Sequence, residues 1–137
     1  MSPSVAEVLG LAAMPTPMAL IRQIESGLPL AAVERVARNV APDDLNFRFA
    51  IIPRATWPRR RKGSHLSPGE SEVVARLAQV WDKAVEVYED EDTARRFLRQ
   101  PHALLDGRIP ISVALTTGAG AALVEAILGR LQYGSAL

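Results

Sequence analysis

The residues of this chain that could do chemistry are few and scattered. Ser64-His65 places a hydroxyl beside an imidazole, but adjacent side chains cannot face one another as nucleophile and base, and no orienting acid is evident. His65 and His102 lack the carboxylate or thiol companions that a zinc site needs. The acidic run Glu89–Asp92 has neither the glycine nor the ligand spacing of a calcium loop, and reads as solvated helix ends with Asp90 or Asp92 as a cap. Gly118-Ala119-Gly120 opens a helix, where free amides attract anions. With no strand before it, close helix packing is the favoured reading. These patterns predict no catalytic residue, no metal ligand set and no cofactor, and so a protein that is not an enzyme.

One stretch carries more chemistry than the rest. Ile51–Gly63 reads "IIPRATWPRRRKG", and the four consecutive cations Arg59 to Lys62 exceed any other run of Lys or Arg in the chain. A short helix opening at Pro53, after another helix and a tight turn, has the layout of a helix-turn-helix, whose second helix enters the major groove. Arg54, Thr56 and Trp57 would lie in that element. Arg59, Arg60, Arg61 and Lys62, just beyond it, would hold phosphates with an affinity that falls with salt. Alone, the same four cations could be a solvated linker before Ser67; the surrounding rhythm favours DNA. Pro58 disfavours helical geometry at Trp57 and removes a donor, so the element is expected to be one turn long or bent.

The remainder of the chain must position that stretch. Its 137 residues suit one domain or two small helical ones, and 48% hydrophobic residues against 23% charged allow a proper interior. An aromatic share of 5% favours helix packing over a β-sandwich. There is no cysteine, which excludes disulfides and thiolate metal sites and fits a reducing cytoplasm. No run approaches the ~18–20 apolar residues that span a membrane, and no cationic segment precedes the first apolar run as in a signal peptide. Net charge is +1, unevenly spread. Residues 1–65 hold nine Lys/Arg against five Asp/Glu, and residues 66–137 hold seven against ten, so a basic front adjoins an acidic back.

Capping signals divide the chain into helices. Ser4 and Glu7 have capping-box spacing before a helix that Pro15 stops. Thr16-Pro17 opens a helix ending at Gly27. Leu30 to Val40 carries Leu30, Val33, Val36, Ala37 and Val40 at helical spacing. Asp43 or Asp44 can cap "LNFRFAI", with Leu45, Phe49 and Ile52 inward. In "HLSPGES", Ser67 and Glu70 form a capping box with Pro68 at the first position, opening a long helix to about Tyr88 that buries Val73, Leu77, Val80/Trp81, Ala84 and Val87/Tyr88. Further helices are expected over about 92–99, 111–115 and 117–132, the last with Val124, Ile127/Leu128 and Leu131 inward. Nothing alternates as a strand would, so the fold class is all-α.

The back half follows a recognisable pattern. "LSPGES", "ARLAQVWDKAVEVY" and "TARRFLRQPHALLDGRIPISVALTTGAGAALVEAILGRLQYG" resemble the C-terminal toxin-binding domain of the Xre/MbcA/ParS-type antitoxins. The ordered pieces are a Leu-Ser-x-x-Glu-Ser start, Phe97-Leu98 before Pro101, Leu105-Asp106-Gly107-Arg108-x-Pro110, Thr117-x-x-Gly120-Ala121 and a closing Tyr133-Gly134. The preceding "GLPLAAVERVARNVAPDDLNFRFAIIPRATWPRRRKG" is similar to that family's Xre-like helix-turn-helix. The resemblance covers about residues 27–135 and divides the chain into a DNA-binding domain at 1–65 and a helical toxin-binding and dimerisation domain at 66–137.

What the resemblance implies is an antitoxin of a RES–Xre system. It would pair as a homodimer with a RES-domain toxin that depletes NAD, and bind operator DNA to repress its own operon. The C-terminal segment of such antitoxins covers the toxin's active-site cleft, which here means Leu131, Gln132, Tyr133, Gly134, Ser135, Ala136 and Leu137. From the residues alone, Gly134 breaks the last helix and Tyr133 offers apolar area with a hydroxyl, as interface anchors do. The competing reading is that Tyr133 caps the protein's own core and the tail frays. The rival function is a stand-alone helix-turn-helix transcription regulator whose second domain only dimerises.

Overall fold

Local capping starts most of the helices. The computed structural model describes residues 4–12, 16–63 and 65–134. The Ser4 side chain accepts from the Glu7 N–H and opens α1 (Val5–Leu9). Thr16 accepts from the Ala19 N–H and opens α2 (Pro17–Ser26), with Pro17 where its missing donor is not needed. α1 stops sooner than expected. Gly10 takes a left-handed φ of 76° there, and the Arg35 side chain lies against it where a Cβ would collide. Pro15, the expected stop, lies outside the described residues.

α3 (Ala31–Val40) buries Ala32, Val33, Val36, Ala37 and Val40, while Leu30 is only partly covered. The helix expected at "LNFRFAI" shrinks to the single turn α4 (Arg48–Ile51). The Asp44 carboxylate accepts from the Asn46 N–H at 3.0 Å, a local turn that competes with helix, and it turns Leu45 outward to 80% exposure. Leu45 therefore does not join the core; Ile52 does, and Phe49 is partly buried.

The expectation for the basic stretch also needs correction. A short 3-10 turn, Arg54–Thr56, runs directly into α5 (Trp57–Gly63), so the cations lie within the helix rather than beyond it. Pro58 sits in the first turn, where a helix tolerates it. Trp57 holds helical geometry (φ −55°, ψ −45°) despite the proline that follows. Its indole is buried and its Nε1–H donates to the Ile52 carbonyl at 2.9 Å, so tertiary packing overrides the local preference.

α6 (Pro68–Tyr88) is the axis of the molecule. Its capping box forms as expected, with Ser67 accepting from the Glu70 N–H and Glu70 accepting from the Ser67 N–H. It packs against α1, α2 and α3, and also against α7 (Glu91–Arg99), α8 (Pro110–Thr116) and α9 (Gly118–Gln132). Val74, Leu77, Ala78, Val80, Trp81 and Ala84 are buried along it, whereas Val73, Val87 and Tyr88 are only partly covered. Ser71 is its one wholly buried polar residue among those described, and its hydroxyl accepts from the Leu28 N–H at 2.8 Å. A single apolar cluster runs from Val8 to Leu128, so both halves of the chain share one core.

Asp90 caps α7 through the Thr93 N–H, and Thr117 caps α9 through the Gly120 N–H. α8 and α9 meet closely at Gly120, where a Cβ would strike the Val113 carbonyl. That contact explains the glycine-rich opening of α9. The inward stripe of α9 ends at Leu128; Leu131, expected inside, is 37% exposed. Among the described residues there are two isolated bridges, Pro29 with His65 and His102 with Arg108, and no strand. The fold is all-α.

Candidate functional site

α5 presents its cations unequally. Arg59, Arg61 and Lys62 are exposed. Arg60 is part-buried and donates through Nε to Glu70 Oε1 at 2.6 Å. Burial would raise the Glu70 carboxyl, but Arg60 and the Ser67 N–H outweigh it and hold the group below its ordinary range. Arg60, expected among the phosphate-holding cations, instead fastens α5 to the start of α6.

Behind α5 lies an aromatic and cationic stack. The Phe49 ring meets Trp57 edge to face at 5.9 Å. The Arg48 guanidinium lies 4.9 Å from Phe49 and 5.5 Å from Trp57, and pairs with Glu34 at 2.9 Å. Arg61 lies over the Trp57 ring at 5.5 Å, and Arg54 over Phe49 at 3.9 Å while donating to Asn46. Trp57 itself is 3% exposed. That burial corrects its assignment as a DNA-facing residue: it is the base on which the helix rests. Thr56 is part-buried in the 3-10 turn. The exposed cations of this stretch are Arg54, Arg59, Arg61 and Lys62. Sequence reasoning missed Arg48, whose only signal was its place beside Phe49.

The other end of the chain is built differently. Gln132 is partly buried and tied to α6, accepting from Lys83 at 2.7 Å and donating to Glu86 at 2.9 Å. Tyr133 stands 82% exposed beyond it, so it does not cap the protein's own core. Gly134 follows with a left-handed φ of 71°, a conformation common just past helix ends. Ser135, Ala136 and Leu137 lie outside the described residues.

The remaining candidates are structural. His102 Nδ1 accepts from the Leu104 N–H at 3.1 Å, and its ring packs on Phe97. His65 pairs with Pro29 in a backbone bridge. Asp90 accepts from both the Thr93 N–H and hydroxyl, and those bonds hold its carboxyl below the ordinary range. Among the described residues no three His, Cys, Asp or Glu side chains gather as a metal site, and no helix is long and apolar enough to cross a membrane.

Residues 19–79 match the Xre-like antitoxin helix-turn-helix domain, and residues 83–134 match the Xre/MbcA/ParS antitoxin C-terminal toxin-binding domain. The chain is also 30% identical over 115 residues to Antitoxin Xre of Photorhabdus laumondii, covering 81% of this chain and 76% of that protein. The chain belongs to the Xre/MbcA/ParS antitoxin family. In this Xre-type antitoxin an Xre-like helix-turn-helix domain is joined to a toxin-binding domain. The two matches meet within α6, which runs unbroken between them. α5 and its cations fall in the first match, and Tyr133 and Gly134 close the second.

Proposed function

We propose that this antitoxin neutralises a RES-domain toxin that depletes cellular NAD by laying residues 131–137 across the toxin's active-site cleft. In this reading residues 66–137 hold the toxin. Residues 1–65 bind operator DNA through Arg54, Thr56, Arg59, Arg61 and Lys62, repressing its own operon from the cytoplasm as a homodimer. The supporting observation is Tyr133, a large amphipathic side chain left 82% exposed just past α9, beside Gly134 with its left-handed φ. A tyrosine in that position can bury its ring in a cleft and keep a hydroxyl for a polar partner, the chemistry of an interface anchor. Neutralisation is then steric and needs no reaction.

The first test is whether a RES-domain reading frame lies beside the gene; co-expression with its product, following cellular NAD, is the second. Deleting Ser135–Leu137 and, separately, Tyr133→Ala should each weaken protection while leaving the proteins copurifying through the rest of the domain. Full protection by both variants would refute plugging. An antitoxin that copurifies with no neighbouring gene product would instead be the stand-alone regulator.

A further inference from the structure

The connection between α3 and α4 has little burial to hold it. Residues 42–46 are all exposed. An open cleft of about 500 Å³ lies between them and α7, lined by Pro42, Asp43, Asp92, Arg95 and Arg99 among others. Two guanidiniums of α7 reach the connection there. Arg95 Nε donates to the Asn39 carbonyl at 2.7 Å, in the last turn of α3. Arg99 Nη1 donates to Asp43 Oδ1 at 2.6 Å. Arg95 is itself held rigid, lying over the buried Trp81 ring at 5.2 Å with Asp92 and Glu91 at 2.9 and 3.1 Å. The hydrogen bond from Arg99 is the leading cause that keeps the Asp43 carboxyl below its ordinary range.

These ties cross between the two functional halves. Asn39 and Asp43 fall in the helix-turn-helix match, and Arg95 and Arg99 in the toxin-binding match. The held connection leads directly into α4, whose Phe49 packs edge to face on Trp57, the first residue of the basic helix. We infer that Arg95 and Arg99 are positioning residues for DNA binding: from the toxin-binding domain they order the α3–α4 connection and, through α4, set the basic helix. The inference rests on the DNA-binding role proposed above. In this role neither arginine touches DNA. A backbone segment left free must be ordered when DNA arrives, and ordering it beforehand removes that cost from binding.

The experiment measures affinity at two salt concentrations for a duplex taken from immediately upstream of the gene. The proteins are wild type, Arg99→Ala, Arg99→Lys and the charge swap Asp43→Arg with Arg99→Asp, each checked by thermal melting. An exposed ion pair contributes modestly, so Arg99→Ala should bind roughly two- to fivefold more weakly. The salt slope should stay at the wild-type value, and Arg99→Lys and the swap should recover most of the affinity. Unchanged affinity in Arg99→Ala would overturn the inference. So would a slope lowered by about one neutralised phosphate with no recovery in the swap, which would make Arg99 a direct phosphate ligand. Wild-type protein without salt-dependent DNA binding would overturn the DNA-binding reading, and this inference with it.

Discussion

Arg60 Nε and the Ser67 N–H converge on one oxygen, Oε1 of Glu70, at 2.6 and 2.8 Å. A single carboxylate therefore completes the capping box of α6 and anchors the basic helix α5 beside it. Since the folded state holds the Glu70 carboxyl below its ordinary value of 4.5, its contribution is present above that pH and is lost as the pH falls through the folded value. Arg60→Gln should cost about 1 kcal/mol at pH 7 and less at a second, acidic pH where the folded carboxyl has taken up its proton. Chemical denaturation at the two pH values checks this; an equal loss at both would mean that the guanidinium acts through packing alone.

Trp57 supports α5 from behind, so its replacement should act on folding. Trp57→Phe keeps a ring against Phe49 but leaves the Ile52 carbonyl without its donor, at a cost of about 1–3 kcal/mol. The midpoint of urea denaturation reads that loss. The salt slope of DNA binding by the folded fraction should not move.

The exposed cations should behave in the opposite way. Replacing Arg59 and Lys62 together with glutamine removes charge from a solvated helix face, so stability should change by less than ~0.5 kcal/mol. The slope of log affinity against log salt should fall by about 0.9 for each phosphate that the variant no longer neutralises. Fluorescence anisotropy across a salt series measures it. An unaltered slope would remove these residues from the DNA interface.

Asp82 stores a pH-dependent cost on α6. Its Oδ1 is buried and accepts no hydrogen bond, and burial, then Glu86 and Glu7, push the carboxyl up to about 6 against the smaller pull of Lys83. A raised carboxyl value means the folded state binds the proton more tightly, so stability declines as the pH rises from ~4 through ~6. Asp82→Asn should gain about 1 kcal/mol at pH 8, allowing for screening of a partly exposed group, and little at pH 4. Melting temperatures at both values decide the sign.

Two glycines of α9 should respond differently to the same methyl group. Gly120→Ala drives a Cβ into the Val113 carbonyl and should cost about 1–3 kcal/mol. Gly129 has nothing within 4 Å of that position, and Gly129→Ala should stabilise by up to ~1 kcal/mol through helix propensity. Equal melting temperatures for the pair would contradict the close α8–α9 approach.

Helix starts were legible in the sequence because a cap is a bond between near neighbours. Ser4, Thr16, Ser67, Asp90 and Thr117 each satisfy an amide three residues on, and the capping box at Ser67 and Glu70 could be read directly from "LSPGES". The family resemblance was equally local, carried by ordered short pieces. Packing decided what those signals left open. Leu45 and Trp57 are both apolar, yet Asp44 turns the first into solvent while Ile52 and Phe49 draw the second inside. Arg60 and Arg61 are neighbours of one charge and one type; only the first meets Glu70. The ties from α7 to Asn39 and Asp43 join residues 56 positions apart, a distance at which a sequence shows composition but not contact. Burial and pairing depend on where distant segments meet, and that is set by the shared core around α6.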